Sequence, residues 1–253
     1  MSIIFILLLI AHFLADFYLQ SNESVVTKED EKIFTRNFFK TETFKHIMIY
    51  LLLSSLIFVF YKSENVFAYL FVIAGLLLHG LIDIIKTRII KKNNEKTFLE
   101  EQKKNILKPL LFIVDQALHI GILYYLSIYI DDNFAALNWH NLDFTYLIYL
   151  LALILIGKTA NVTFRVLFKN YEPINKKEDK GHENAGGWIG ILERIIVLML
   201  ITTGHIAAIG FIVAAKSIVR FKKFEDSQFG EYFIIGTLFS VIYAFLVYFA
   251  LFS

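Results

Sequence analysis

Apolar runs of about 15 to 25 residues dominate this chain, separated by short stretches that gather most of the charge, and ~20 such residues suffice for a helix to cross ~30 Å of hydrocarbon. In that medium every backbone polar group must be satisfied within the spanning structure, which leaves helices or closed barrels. Barrels need short alternating strands, and the sequence has no such pattern. The fold class expected is therefore all-α, a polytopic transmembrane helical bundle.

Composition agrees, because 57% hydrophobic and 19% charged residues over 253 positions give more apolar surface than one soluble core buries. The lipid bilayer is the expected partner, a second copy of the chain is an open one, and nothing points to nucleic acid. Cysteine is absent, so disulfides and thiolate metal sites are excluded.

The runs predict helices near 2–20, 44–61, 67–86, 106–130, 144–168, 188–203, 205–221 and 229–252, which makes eight spans. The first lacks a basic leader and a small-residue cleavage site, and it reads as an uncleaved span. The sixth and seventh are short and meet at Thr202-Thr203-Gly204-His205, so a re-entrant pair is the alternative there. Residues 1–253 read as a single transmembrane domain with loops near 21–43, 87–105, 169–187 and 222–228. Lys28, Lys32, Arg36 and Lys40 follow the first span, Arg88, Lys91 and Lys92 the third, Lys176 and Lys177 the fifth, and Lys222 and Lys223 the seventh. The positive-inside rule then places these loops in the cytoplasm and both termini outside.

The chemistry-bearing residues fall in the spans. His12 and Asp16 in the first, and His79 and Asp83 in the third, are i,i+4 pairs, so each pair shares one helix face. Asp115 and His119 form the reversed pair in the fourth. A charge facing lipid costs roughly 2.5–3.5 kcal/mol on insertion scales, so these groups should meet one another or a watered cavity. Imidazole and carboxylate together suit a divalent metal, Zn²⁺, Mn²⁺ or Fe²⁺. The plainer alternative is structural, each Asp pairing with a cation such as Lys86 or Arg194 and each His bonding across helices. His46, His140 and His182 are isolated in or near loops and are expected to be solvent-exposed, without a role.

Lys158, Asn161, Arg165, Arg194, Lys216 and Arg220 form a basic and polar set suited to an anionic substrate, or to neutralising the carboxylates. Glu193 is the general-base candidate. Gly186, Gly187 and Gly190 around Trp188 permit close helix packing, or an anion on free backbone N–H groups.

The segments Ala-His12-Phe-Leu-Ala-Asp16, His79-Gly-x-x-Asp83, Gly-x-x-Glu193-Arg194, Ala-Ala-Lys216-Ser-x-x-Arg220 and Glu231-Tyr-Phe-x-x-Gly236 occur in this order. Nearly end to end, the chain resembles a family of bacterial membrane proteins catalogued as domain of unknown function 3307. The resemblance implies a multi-pass protein of the bacterial cytoplasmic membrane and implies no reaction. The His/Asp pairs are also distantly similar to those of membrane proteins described as metal-dependent hydrolases.

The functional expectation is a metal-dependent hydrolase of a lipid or lipid-linked phosphate, with His12, Asp16, His79, Asp83, Asp115 and His119 as ligands. Two other classes stay open: a transporter or channel for an anion or proton-coupled solute, and a binding or signalling subunit whose buried polar groups serve assembly alone.

Overall fold

The computed structural model describes residues 1–20, 41–94, 101–137, 144–173, 185–221 and 225–253. These residues form eight helices: α1 (Ile3–Tyr18), α2 (Glu42–Val59), α3 (Val66–Asn94), α4 (Glu101–Asn133), α5 (Thr145–Leu167), α6 (Ala185–Thr202), α7 (Ala207–Val219) and α8 (Ser227–Phe252). Six are long and apolar enough to cross a membrane, while α1 and α7 are shorter apolar helices. The short helices expected were the sixth and seventh; α6 reaches spanning length, and the shortfall falls on α1 instead. The loops expected at 21–43 and 169–187 lie largely outside the described residues, as do 222–224 of the loop expected at 222–228, whose end at Ser227 and Gln228 already belongs to α8. The loop expected at 87–105 is mostly helix, because α3 continues to Asn94 and α4 begins at Glu101. Charged residues there extend the helices as readily as they would form a coil, since Lys, Arg, Glu and Gln are good helix formers.

Starts are set by local chemistry. Ser2 accepts a hydrogen bond from the Phe5 amide at 3.2 Å, Thr41 from the Phe44 amide at 3.2 Å, and Asp226 from the Gln228 amide at 3.0 Å. Each satisfies an amide that the first turn leaves without an intrahelical acceptor.

The chain divides into two units, Met1–Leu151 and Ala152–Ser253. In the first, α1 packs on α2 and α4, α2 on α3, and α3 on α4, so four helices close a ring. Gly80 makes the α2–α3 approach possible: a Cβ there would stand 2.8 Å from Ile47 Cδ1. Two short strands, β1 (Tyr61–Lys62) and β2 (Ala135–Ala136), pair antiparallel and tie the end of α2 to the end of α4. Large apolar side chains such as Leu52, Phe67 and Tyr125 face outward, as a lipid-facing surface requires.

In the second unit α8 packs on α6 and on the C-terminal part of α5. Its core is Ala152, Ile156, Leu198 and Val247, continued by Val197, Ile201, Ile209 and Ala244. Gly204, at φ +78°, ends α6 in the left-handed conformation that glycine adopts without Cβ strain.

Candidate metal centre

Four helices of the first unit deliver polar side chains into its interior. His12, His79 and His119 are at most 2% exposed, and His46, Asp83 and Asp115 at most 7%. On α2 the buried residues Thr43, His46, Tyr50 and Ser54 recur at helical spacing and make a polar stripe facing the ring. The last turn of α1 is π-helical, with the Leu19 amide donating to the Leu14 carbonyl at 2.9 Å, and this wider turn carries Asp16.

Asp16 is the meeting point. Its Oδ1 lies 3.2 Å from His79 Nε2 and 3.3 Å from His46 Nε2, and its Oδ2 lies 3.8 Å from His12 Nδ1. His46 Nε2 is also 3.3 Å from Asp83 Oδ2. The His12 ring meets those of His79 and His119 edge-on, each at a centroid distance of 5.3 Å. Tyr50 stacks on His79 at 3.8 Å. The six His and Asp residues singled out in the sequence thus converge, and no shared site would survive a separation much beyond the reach of ~2 Å ligand bonds.

His46 joins them, contrary to the expectation of a solvent-exposed residue. It sits in the second turn of α2, on the stripe turned inward. His140 and His182 lie outside the described residues.

Gln116 fixes the tautomer of His12. Its amide nitrogen faces Asp16 Oδ2 at 3.4 Å and Asp115 Oδ2 at 3.3 Å, so its oxygen faces His12 Nε2 at 3.3 Å. A carboxylate only accepts, so the NH₂ group points to the aspartates and His12 Nε2 must donate to the amide oxygen. The proton is thereby held on Nε2, and the Nδ1 lone pair faces the cluster, as a second partner does for metal-binding histidines.

Several buried polar atoms have no hydrogen bond among the described residues: both ring nitrogens of His119, Nδ1 of His12 and of His79, and Oδ1 of Asp115. Each such group costs about 1–3 kcal/mol unless another partner meets it. Among the described residues three overlapping sets have donor atoms mutually within 4.8 Å: His12, Asp16, His79 and His119; His46, His79 and Asp83; Asp83, Asp115 and His119. Mixed imidazole and carboxylate donors at this spacing fit a divalent transition ion. Among the described residues the one cation in the cluster is Lys86, 2.7 Å from Asp115 Oδ2 and 3.1 Å from Asp83 Oδ1.

Residues 4–148 match the family described as protein of unknown function (DUF3307). The chain belongs to this family. The matched stretch makes up more than half of this DUF3307 chain and contains every residue of the His/Asp cluster. No curated protein and no solved structure matches it.

The basic set and Glu193 lie in the second unit. Arg194, 2% exposed, donates through Nε to the Ile156 carbonyl at 2.6 Å and through Nη2 to Asn161 Oδ1 at 2.6 Å and the Gly157 carbonyl at 3.4 Å. Those carbonyls are turned out because α5 breaks at Gly157, where ψ is −124°. Asn161 also donates to the Gly187 carbonyl at 3.1 Å, and a Cβ on Gly190 would come within 3.1 Å of Arg194 Nη1. Gly187 and Gly190 therefore serve close packing around a buried guanidinium and its Asn161 partner, while a Cβ on Gly186 would meet nothing within 4 Å. Glu193 pairs with Lys216 at 2.7 Å, and Lys216 also donates to Thr237 Oγ1 at 3.2 Å. Lys158 is half-buried, Arg165 is exposed, and Arg220 covers the ring of Phe229 at 5.8 Å.

Proposed function

We propose that this DUF3307 protein is a metal-dependent hydrolase whose first unit holds a divalent ion (Zn²⁺, Mn²⁺ or Fe²⁺) among its helices and cleaves a lipid or lipid-linked phosphate. The observation that carries the reading is the convergence of buried imidazole and carboxylate donors, several without a hydrogen bond, inside a ring of apolar helices.

His12, Asp16, His79 and His119 would hold the ion, with His46 and Asp83 beside them. A divalent ion at such a place supplies a polarised water near neutral pH. Gln116 keeps the His12 lone pair turned to the site. The proton acceptor would be a carboxylate of the cluster, since Glu193 is engaged by Lys216. The anion of the substrate would meet Lys86, whose side chain at 26% exposure is the least enclosed charged group of the cluster. Arg194 is taken up by carbonyls of α5. The basic residues Arg88, Lys91 and Lys92 late in α3 support, by the positive-inside rule, a cytoplasmic position for this end of the helix in a bacterial plasma membrane.

The test is phosphate release from lipid phosphates in mixed micelles by the full chain purified in detergent. Activity should require added metal, stop with chelator and be lost in His79→Ala. Metal binding without turnover of any phospholipid or isoprenoid phosphate would leave a metal site and remove the hydrolase. A carrier for an anion or a proton-coupled solute is the second reading, favoured by the helix break at Gly157, since interrupted helices line carrier sites; anion or proton flux in proteoliposomes would decide for it.

A further inference from the structure

Lys86 sits where a cation would sit. Its Nζ is 2.7 Å from Asp115 Oδ2 and 3.1 Å from Asp83 Oδ1. Those two aspartates, with His119, form a donor set of their own, their donor atoms within 4.8 Å of one another. His119 is 1% exposed, has no hydrogen bond at either ring nitrogen among the described residues, and has Nε2 3.9 Å from Asp115 Oδ1. It belongs both to this set and to the set with His12, Asp16 and His79; a neutral imidazole offers one lone pair, so with His119 in this set the first position keeps His12, Asp16 and His79.

We propose that the cluster contains a second cation position, formed by Asp83, Asp115 and His119, which the ammonium of Lys86 holds as a tethered cation. The inference rests on the metal-binding reading of the first position and adds a second one to it. Among the described residues three carboxylates, those of Asp16, Asp83 and Asp115, against one ammonium leave two negative charges, which a single divalent ion balances. A second ion has to displace the ammonium, because ammonium and metal would share the same two oxygens and repel at that distance. An anionic substrate supplies the exchange: its phosphate draws Lys86 away from the aspartates and contributes the negative charge that a second ion needs. The ligand class is a divalent cation, and the two-ion state is one that phosphate-cleaving sites use to stabilise both attacking and leaving oxygens.

The experiment is titration of the full chain in detergent with Mn²⁺, read by electron paramagnetic resonance and by bound metal per chain. Wild type should take up about one ion per chain with an uncoupled signal, and Lys86→Met about two with the exchange-coupled signal of neighbouring ions. Lys86→Arg, which keeps the charge, should behave as wild type, and Lys86→Met/Asp115→Asn should return to one ion. Should Lys86→Met fail to fold, wild type at rising Mn²⁺ with added inorganic phosphate gives the same answer, since the phosphate draws Lys86 from the aspartates and a second, weaker and coupled ion must then appear. One uncoupled ion in wild type and Lys86→Met alike, even at high Mn²⁺, overturns the second position and leaves the first intact. No Mn²⁺ in any form overturns both.

Discussion

His79 and His119 lie face to face, their ring centroids 3.8 Å apart and their planes 15° from parallel, so α3 and α4 present imidazole edges to the same buried space. Stacked imidazole rings with unmet nitrogens are costly to keep for packing alone. His119→Leu should therefore leave the metal-free protein as stable or up to about 1–3 kcal/mol more stable, the cost of the unmet groups being removed. The same variant should lose the stabilisation by excess Mn²⁺, which is about 2.7 kcal/mol at a hundredfold excess over Kd for an intact site. Thermal unfolding in detergent with and without Mn²⁺ reads both effects, and a large fall in metal-free stability would mean that the histidine is there for the fold.

His46 bridges two carboxylates, 3.3 Å from Asp16 Oδ1 and 3.3 Å from Asp83 Oδ2. His46→Ala should weaken metal binding by roughly 10- to 100-fold, the usual effect of losing a group that orients ligands. Calorimetric titration with Zn²⁺ or Mn²⁺ measures it, and an unchanged Kd would return His46 to a structural role.

Much of this centre was legible in the chain. The pairs His12/Asp16, His79/Asp83 and Asp115/His119 stand out because i,i+4 spacing puts two ionisable groups on one face of an apolar helix. His46 has Glu42 at that spacing, but Glu42 falls in the loop expected at 21–43 and pairs with Lys45, so the stripe Thr43, His46, Tyr50 and Ser54 is the signal that could have revealed it. Gln116 carries no charge and gave no signal, whereas the pairing of Lys86 with aspartates of the spans is the structural alternative that the sequence offered. The destination of Arg194 was hidden for another reason: its acceptors are backbone carbonyls freed by the break at Gly157, and no side-chain pattern announces a broken helix. The helix positions followed the apolar runs, whereas the two-residue strands β1 and β2 are too short to leave a periodic signal.

Arg194 holds the broken turn of α5 together. Arg194→Met would leave the Ile156 carbonyl and Asn161 without their charged donor, and should cost about 3 kcal/mol or more, since hydrogen bonds to charged groups contribute roughly 1.5–3 kcal/mol each. Metal uptake by the folded fraction should stay as in wild type, because the His/Asp cluster is complete within the first unit. Unfolding midpoints in detergent, with metal analysis of the same samples, would reveal an anion-binding role if the stability did not move.

Gly80→Ala puts a Cβ 2.8 Å from Ile47 Cδ1 and Cγ1, next to His79. It should destabilise by about 1–3 kcal/mol, as overpacking does. Ile47→Val in the same chain should recover part of that loss, and the double-mutant cycle should give a clear coupling, of about 0.5 kcal/mol or more. Additive effects would place the two residues out of contact.

Metal content is the most direct measurement: mass spectrometric analysis of the detergent-purified chain, wild type against His12→Ala/His79→Ala. A Zn, Mn or Fe content near one per chain in wild type, lost in the double variant, is the result predicted for a buried four-donor site. Metal-free wild type that also fails to bind added Zn²⁺, Mn²⁺ or Fe²⁺ would contradict it and leave the cluster a polar lining of the helix ring.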